Sequence, residues 1–147
     1  IGSMSALENL LMFASMYGMR KEQARTHAAQ LLKKLDLWNA RDRKVYTFSA
    51  EMCRRLSLAR ALVHRPQIVF SDGLPGGEQA VSDAMVLRTL SDYAKETGMQ
   101  AVRLDVISNN SSAEHLYQKM GFRFVETQRL YYEVTGERDF NLYEYYL

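Results

Sequence analysis

A polar run and a tyrosine beyond it are the residues of this chain whose types and spacing could do chemistry. Asn109, Asn110 and Ser111 follow an apolar segment, where they can cap a helix or present donors to an anion or an amide. Tyr117 lies seven residues after Asn110, about two helical turns, so both side chains can face one groove. A phenol is protonated at neutral pH and can act as a general acid in a cleft. The same spacing suits a core face, where a tyrosine is more often a packing residue.

The flanking residues predict a strand that leads into a helix. Apolar residues alternate from Ala101 to Ile107, which is typical of a strand with one buried face. After the polar run, apolar residues recur at helical spacing until Gly121, which ends the helix: Ala113, Leu116, Tyr117 and Met120. The sequence therefore predicts that Asn110 and Tyr117 belong to one helix next to a strand.

This stretch resembles the distal half of the Gcn5-related N-acetyltransferase (GNAT) family over about residues 78–147. The resemblance rests on Val106, Asn110, Ala113, Leu116-Tyr117, Lys119 and Gly121-Phe122. It implies that the polar turn and the helix start, with Val106, Asn110 and Ala113, hold the arm of acetyl-CoA. It also implies that Tyr117 gives a proton to the departing thiolate.

The helix that precedes the strand carries a second part of this resemblance. In GNAT proteins its start binds the coenzyme A pyrophosphate through backbone amides. Gln79 and Ala84 agree with the family pattern, whereas Ser82 replaces its middle glycine and Asp83 stands where an anion would approach. The resemblance implies Gln79, Ser82 and Ala84 as cofactor-binding positions. Gly76-Gly77 could supply a flexible approach instead, or form a plain turn.

Three helices are predicted in the first half of the chain. Ser5 and Glu8 form a capping-box pattern at the start of the first, which ends at Gly18. Apolar spacing predicts the second helix over residues 21–35. The third runs from a cap at Ser49 to about residue 64, because Pro66 prevents its continuation.

This half resembles the ATP-binding subunit of ABC transporters over about residues 5–72. The resemblance rests on five segments: 6–10, 17–18, 35–37, 48–62 and 66–72. Ala50 and Glu51 replace the two glycines of the family signature, and Gly73 replaces the catalytic glutamate that follows Asp72. The chain also has no G-x-x-x-x-G-K-[ST] loop to hold phosphates. ATP binding and hydrolysis are therefore not expected.

Together these patterns predict an α/β protein, with a helical N-terminal segment followed by a mixed sheet that has a βαβ unit and closing antiparallel strands. Strands over 67–71 and 101–107 would pair in parallel through a right-handed crossover. Closing strands are expected over three further segments: 122–126, 129–134 and 140–146. Residues 1–72 and 73–147 are the two expected segments, which could share one core.

Composition excludes several classes of partner. The net charge of +2 is too small to argue for nucleic acid, and no apolar run reaches membrane-spanning length, so neither nucleic-acid binding nor membrane insertion is expected. The start of the chain lacks a signal-peptide layout. A single cysteine, Cys53, excludes an internal disulfide and suits a reducing compartment. The sequence indicates a soluble, cytoplasmic protein, and we expect no metal site.

The main functional hypothesis is an acetyltransferase-like protein that binds acetyl-CoA and transfers an acetyl group to a small-molecule or peptide amine. The alternative is a non-catalytic chimeric scaffold or partner-binding domain with relic motifs, and not an active ATPase. The proximal half of the GNAT pattern is replaced, which leaves the general base and the acceptor pocket unassigned. Tyr143, Tyr145 and Tyr146 predict a homodimer through an exposed edge of the last strand, unless they pack on the chain's own helices.

Overall fold

The computed structural model describes residues 2–69, 80–133 and 136–147, with the backbone alone at residues 80–83 and 132. The chain divides into two compact units, Ile1–Phe70 and Ser71–Leu147. Helices build the first unit, and helices with a sheet build the second, so the expected α/β class with helices before strands is confirmed. Of the helices described, none is long and apolar enough to cross a membrane.

The first unit contains the three predicted helices, α1 (Ala6–Met16), α2 (Lys21–Lys34) and α3 (Ala50–Leu62). Two 3-10 turns lie between α2 and α3, at Trp38–Ala40 and Val45–Thr47. The helices turn their apolar faces inward, and leucines from all three are almost completely buried: Leu10, Leu32, Leu56 and Leu62. Burial of these side chains is what holds the unit together.

The capping box at the start of α1 forms as predicted. The backbone N–H of Ser5 donates to the carboxylate of Glu8 at 2.7 Å, and the N–H of Glu8 donates to Ser5 Oγ at 3.2 Å. Two N–H groups that the helix start would leave unpaired are thereby satisfied.

The strand predicted over 67–71 is not present in its described part. Residues 67–69 adopt no strand, and the side chain of Ile68 is exposed. Residues 70 and 71, and the loop predicted at 72–77, lie outside the described residues. A short run of strand-forming residues gives a weak signal, because β propensity depends on the neighbours against which the side chains pack.

The second unit consists of α4 (Ala80–Glu96), β1 (Ala101–Ile107), α5 (Ser111–Lys119), β2 (Arg123–Tyr132) and β3 (Gly136–Tyr146). Gly121 separates α5 from β2, as predicted for a helix-ending glycine. Its φ is +93°, and a Cβ there would come within 3.1 Å of the Tyr145 ring, so only glycine fits without displacement.

The described sheet is wholly antiparallel, in the order β1-β3-β2. The predicted parallel pairing of 67–71 with 101–107, and with it the mixed sheet and βαβ unit, is therefore wrong for the described residues. The predicted closing antiparallel strands are confirmed. Where two strands were predicted over 122–134, the chain forms the single strand β2, which has a register shift between Phe124 and Glu126.

Strand β3 lies between β1 and β2, so its backbone is paired on both sides. The predicted exposed edge on the last strand is thus wrong. Tyr143 is buried and Tyr145 half-buried, while Tyr146 is 67% exposed. The expected homodimer stays a prediction, without this edge as its basis.

An apolar cluster fixes α4 and α5 on one face of the sheet. Its buried members come from both helices, from β1 and β3, and from the residue before β2: Leu87, Val106, Ala113, Tyr117, Phe122 and Tyr143. Leu104 of β1 packs against the same cluster. Side chains alternate along a strand, so Arg103 and Asp105 point to the opposite face.

Candidate functional site

Helices α4 and α5 both begin at the end of the unit where β1 finishes. The 17 residues of α4 span about 25 Å, and the seven residues of β1 span about 23 Å. A short turn joins α4 to β1, and α4 packs along β1. Near the end of α4, Lys95 Nζ lies 5.6 Å from the centroid of the Tyr145 ring. Tyr145 in turn pairs with Val102 at the start of β1. The start of α4 therefore lies level with the end of β1, from which α5 sets out.

The turn between β1 and α5 is held tightly. The N–H of Ser108 donates to the carbonyl of Asp139 at 2.8 Å, and the N–H of Asn110 donates to the carbonyl of Ile107 at 3.1 Å. Asn109 has a φ of +77°, a left-handed conformation that asparagine tolerates better than most residues. The two hydrogen bonds and the conformation of Asn109 therefore fix the direction in which α5 leaves β1.

Asn110, one of three neighbouring residues that could cap the helix by sequence, is the N-cap of α5. Its side-chain oxygen accepts a hydrogen bond from the N–H of Ala113 at 3.3 Å. The N–H groups of Ser111 and Ser112 come before the first intrahelical hydrogen bond of α5 and point out of the helix start. A helix start of this kind attracts anions and other hydrogen-bond acceptors.

Tyr117 lies in the apolar cluster. Its side chain is 3% exposed, and its ring lies 6.1 Å from Phe122 and 5.9 Å from Tyr143, measured between ring centroids. Val106 and Ala113 are buried in the same cluster, while Asn110 is only partly exposed at the helix end. The structure thus brings these four predicted site residues onto one strand-turn-helix segment, but encloses the tyrosine.

The three pyrophosphate positions are only partly described. Gln79 lies outside the described residues, and only the backbone of Ser82 is described, within the first turn of α4. Ala84 follows in the same helix and is half-buried. The arrangement fits acetyl-CoA in one respect, because two helix starts with unpaired N–H groups lie at the same end of the unit. Each also carries an acidic residue in its first turn, Asp83 in α4 and Glu114 in α5, which an anionic group would have to avoid.

Two family models match the chain, one mainly on each side of the division between its two units. The family model for ABC transporters matches residues 2–73, and the model for the acetyltransferase (GNAT) family matches residues 84–122. The two halves resemble two different families. Below, residues 1–70 are called the transporter-like half and residues 71–147 the acetyltransferase-like half. The GNAT match contains Ala84, Val106, Asn110, Ala113 and Tyr117, and excludes Gln79 and Ser82.

Several curated relatives are ATP-binding proteins. The linearmycin resistance ATP-binding protein LnrL of Bacillus subtilis is 32% identical over 100 residues, covering 68% of this chain and 32% of that protein. The doxorubicin resistance ATP-binding protein DrrA of Mycobacterium tuberculosis is 32% identical over 142 residues, covering 84% of this chain and 43% of that protein. The Nod factor export ATP-binding protein I of Burkholderia orbicola is 46% identical over 65 residues, covering 44% of this chain and 21% of that protein. The chain thus spans less than half the length of each.

In the transporter-like half, the signature position carries an acidic side chain at a helix start. Ser49 caps α3, its Oγ accepting from the N–H of Met52 at 3.2 Å. Glu51 lies in the first turn, where its carboxylate accepts from Arg55 Nε at 2.8 Å. The start of α3 therefore already has a carboxylate in its first turn. A bound phosphate would have to displace this carboxylate or be repelled by its charge.

In the acetyltransferase-like half, sequence reasoning missed a polar network between α5 and β3. Asn141 and Glu114 form it through a hydrogen bond at 2.8 Å, and Tyr143 lies beside Glu114. Asn141 and Tyr143 are two residues apart on β3, and Glu114 lies in the first turn of α5. Their spacing would place the two β3 side chains on one face, but only the fold shows that this face meets α5.

A cleft of about 420 Å³ lies along the sheet, lined in part by side chains of its face remote from α5. Its charged lining residues are Arg103, Asp105, Glu126 and Glu144. Hydrogen bonds from Tyr146 and then Arg103 hold the pKa of Glu144 below its usual value, although its partial desolvation acts in the opposite direction. The excess of carboxylates suits a cationic ligand. Asp105 and Glu144 are separated from Tyr117 by the sheet.

In the parts of the chain that are described, no three His, Cys, Asp or Glu side chains are grouped closely enough to hold a metal ion.

Proposed function

We propose that the acetyltransferase-like half binds acetyl-CoA and transfers its acetyl group to a small-molecule or peptide amine in the cytoplasm. The observation that supports this most is the joint position of two helix starts at the end of β1, one of them capped by Asn110. The GNAT match over residues 84–122 supports the proposal for β1 and α5 with Asn110, and it begins after the first turn of α4.

In this proposal the chain's own residues have distinct tasks. The N–H groups of Ser111 and Ser112, beside the cap Asn110, donate hydrogen bonds to the arm of acetyl-CoA, and the start of α4 with Gln79, Ser82 and Ala84 receives the pyrophosphate. Acetyl-CoA supplies the activated acetyl group. The hydroxyl of Tyr117 delivers a proton to the leaving sulfur. Because Tyr117 is 3% exposed, this step requires the surrounding cluster to open on binding.

A second candidate is a folded scaffold or partner-binding domain without catalysis. The observation that favours it is the burial of Tyr117 among Phe122 and Tyr143, which is what a core residue would show. In that case Tyr117 stabilises the fold, and acetyl-CoA has no site.

Ligand-dependent thermal stability separates the two candidates. A ligand that binds only the folded state at 100 times its dissociation constant stabilises that state by about 2.7 kcal/mol. We expect acetyl-CoA to raise the melting temperature of the acetyltransferase-like half and ATP with magnesium to leave it unchanged. If acetyl-CoA causes no shift at millimolar concentration, the scaffold is the better description.

The substitution Asn110→Asp provides a matched test of the site. Aspartate caps a helix about as well as asparagine, so the fold should keep its stability. Its negative charge would repel the phosphates of coenzyme A, so we expect the thermal shift with acetyl-CoA to shrink or vanish. An unchanged shift would place the cofactor elsewhere.

A further inference from the structure

Asn141, in the middle of the central strand β3, connects three other parts of the sheet unit through its side-chain amide. Its Nδ2 donates to the carboxylate of Glu114 in α5 at 2.8 Å. Its Oδ1 accepts from Ser108 Oγ in the β1–α5 turn at 2.9 Å and from Thr127 Oγ1 in β2 at 2.8 Å. One side chain therefore ties the turn, the helix and the neighbouring strand together.

A second residue of β3, Tyr143, lies beside the same carboxylate. Tyr143 is 2% exposed, and burial, followed by the charge of the nearby Glu114, raises the pKa of its hydroxyl. The hydrogen bond from Asn141 to Glu114 therefore lies next to a buried side chain of the central strand, and it anchors the first turn of α5 to the sheet.

The turn that this network holds is short and contains a left-handed residue. Only residues 108–110 separate β1 from α5, and Asn109 has a φ of +77°. The backbone bond from Ser108 to Asp139 fixes one end of the turn, and Asn141 fixes the Ser108 side chain and the helix that follows. The direction of the N–H groups of Ser111 and Ser112 depends on both.

We infer that Asn141 is a positioning residue for the cofactor site: through Ser108 and Glu114 it aims the start of α5 at acetyl-CoA. The inference rests on the proposed function, and it assigns to Asn141 no contact with the cofactor. Its effect is to keep the helix start in its binding geometry before the ligand arrives, which reduces the free energy spent on ordering during binding.

The substitution Asn141→Asp tests this with almost no change of shape. Aspartate keeps oxygen acceptors for Ser108 and Thr127, but it places a second carboxylate against Glu114 in place of the donor. Loss of a hydrogen bond to a charged group changes an equilibrium constant by roughly 10-fold or more. We expect amide hydrogen exchange over residues 108–113 to become roughly 10-fold faster, and the dissociation constant for acetyl-CoA to rise by a similar factor.

The double substitution Glu114→Gln with Asn141→Asp should restore both quantities. Glutamine at position 114 can donate to the aspartate at position 141, so donor and acceptor are exchanged across the same contact. Thr127→Val is the matched control, because it removes the bond to β2 and leaves those to Ser108 and Glu114. We expect it to change neither exchange over residues 108–113 nor cofactor affinity.

Hydrogen exchange and calorimetry separate the two ideas that are under test. Unchanged exchange over residues 108–113 in Asn141→Asp, or a double variant that restores neither quantity, overturns the positioning role alone. A wild-type chain that does not bind acetyl-CoA overturns the proposed function, and the positioning role falls with it. If Asn141→Asp does not fold, Glu114→Ala removes the same contact from a partly exposed position and must produce the same two changes.

Discussion

The hydroxyl of Tyr117 belongs to a side chain that the fold uses as packing material. Its ring contacts two other aromatic rings, and a deletion at such a position costs stability whatever else the residue does. A catalytic role and a packing role for Tyr117 therefore predict different outcomes for Tyr117→Phe, which removes only the hydroxyl oxygen.

If the acetyltransferase-like half is an enzyme, Tyr117→Phe should lower turnover while acetyl-CoA affinity stays nearly constant. The substitution preserves the ring in the cluster and removes the proton donor, a contribution typically worth a factor of about 10² to 10⁴. The measurement is steady-state kinetics on an amine found by a broad acceptor screen. Equal turnover by wild type and Tyr117→Phe would exclude Tyr117 as the acid, and a changed melting temperature without any activity would support a core role.

The sequence predicted a helix cap within residues 109–111 more reliably than the surroundings of Tyr117. A helix cap is set by residues close in sequence, and the Asn110 oxygen does accept the Ala113 N–H. Whether a tyrosine two turns later points into a groove or a core depends on which rings lie opposite it. Phe122 and Tyr143 come from outside the helix, and spacing alone does not place Tyr143 there.

At the scale of elements, helix boundaries followed from local signals and sheet pairing did not. Capping patterns at Ser5, Ser49 and Asn110 each became an N-cap in the structure. The position of β3 between β1 and β2 has no such signal, because strand order depends on which side chains, distant in sequence, pack together in the apolar cluster on one face of the sheet. The break predicted at residues 127 and 128 is absent for a similar reason, because Thr127 and Gln128 pair with β3 like their neighbours.

The capping box of α1 should give the transporter-like half a specific dependence on acid. The backbone hydrogen bond from Ser5, followed by the charge of Lys44, holds the pKa of Glu8 below its ordinary value. Its contribution to stability is therefore fully present above the pKa of an unfolded glutamate, about 4.3, and is lost as pH falls through the lower folded value.

Glu8→Gln should accordingly destabilise the transporter-like half at pH 7 and make its unfolding less sensitive to pH below about 4. Urea unfolding followed at pH 7, 4 and 2.5 measures both effects. Glu22→Gln, in the first turn of α2, is the control and should flatten the acid dependence less. A Glu8→Gln curve parallel to that of the wild type at all three pH values would contradict this prediction.

At the scale of the whole molecule, the chain unites two segments that match two different family models. The transporter-like half resembles ATP-binding proteins, yet it lacks the phosphate loop, and α3 carries Glu51 in its first turn. Resemblance to a family therefore indicates ancestry in this half and gives little support for its activity.

We expect ATP with magnesium not to bind measurably to this chain. Isothermal calorimetry is the measurement, and a micromolar dissociation constant would overturn the prediction. The double substitution Ala50→Gly with Glu51→Gly, which restores the two signature glycines, should also fail to bind, because no phosphate loop is present to complete the site. Binding gained by that variant would show that Ala50 and Glu51 exclude the nucleotide and that the missing phosphate loop does not.

The central position of β3 has a consequence for synthesis on the ribosome. Among the described residues, β1 and β2 form sheet hydrogen bonds with β3 and not with each other, so the sheet cannot start until Gly136–Tyr146 has left the exit tunnel. At about 5 to 20 residues per second, β1 waits roughly 2 to 8 seconds for its partner. During that time its apolar residues are available to chaperones or to other nascent chains. We therefore expect the yield of folded protein to be most sensitive to translation speed within this interval of the message.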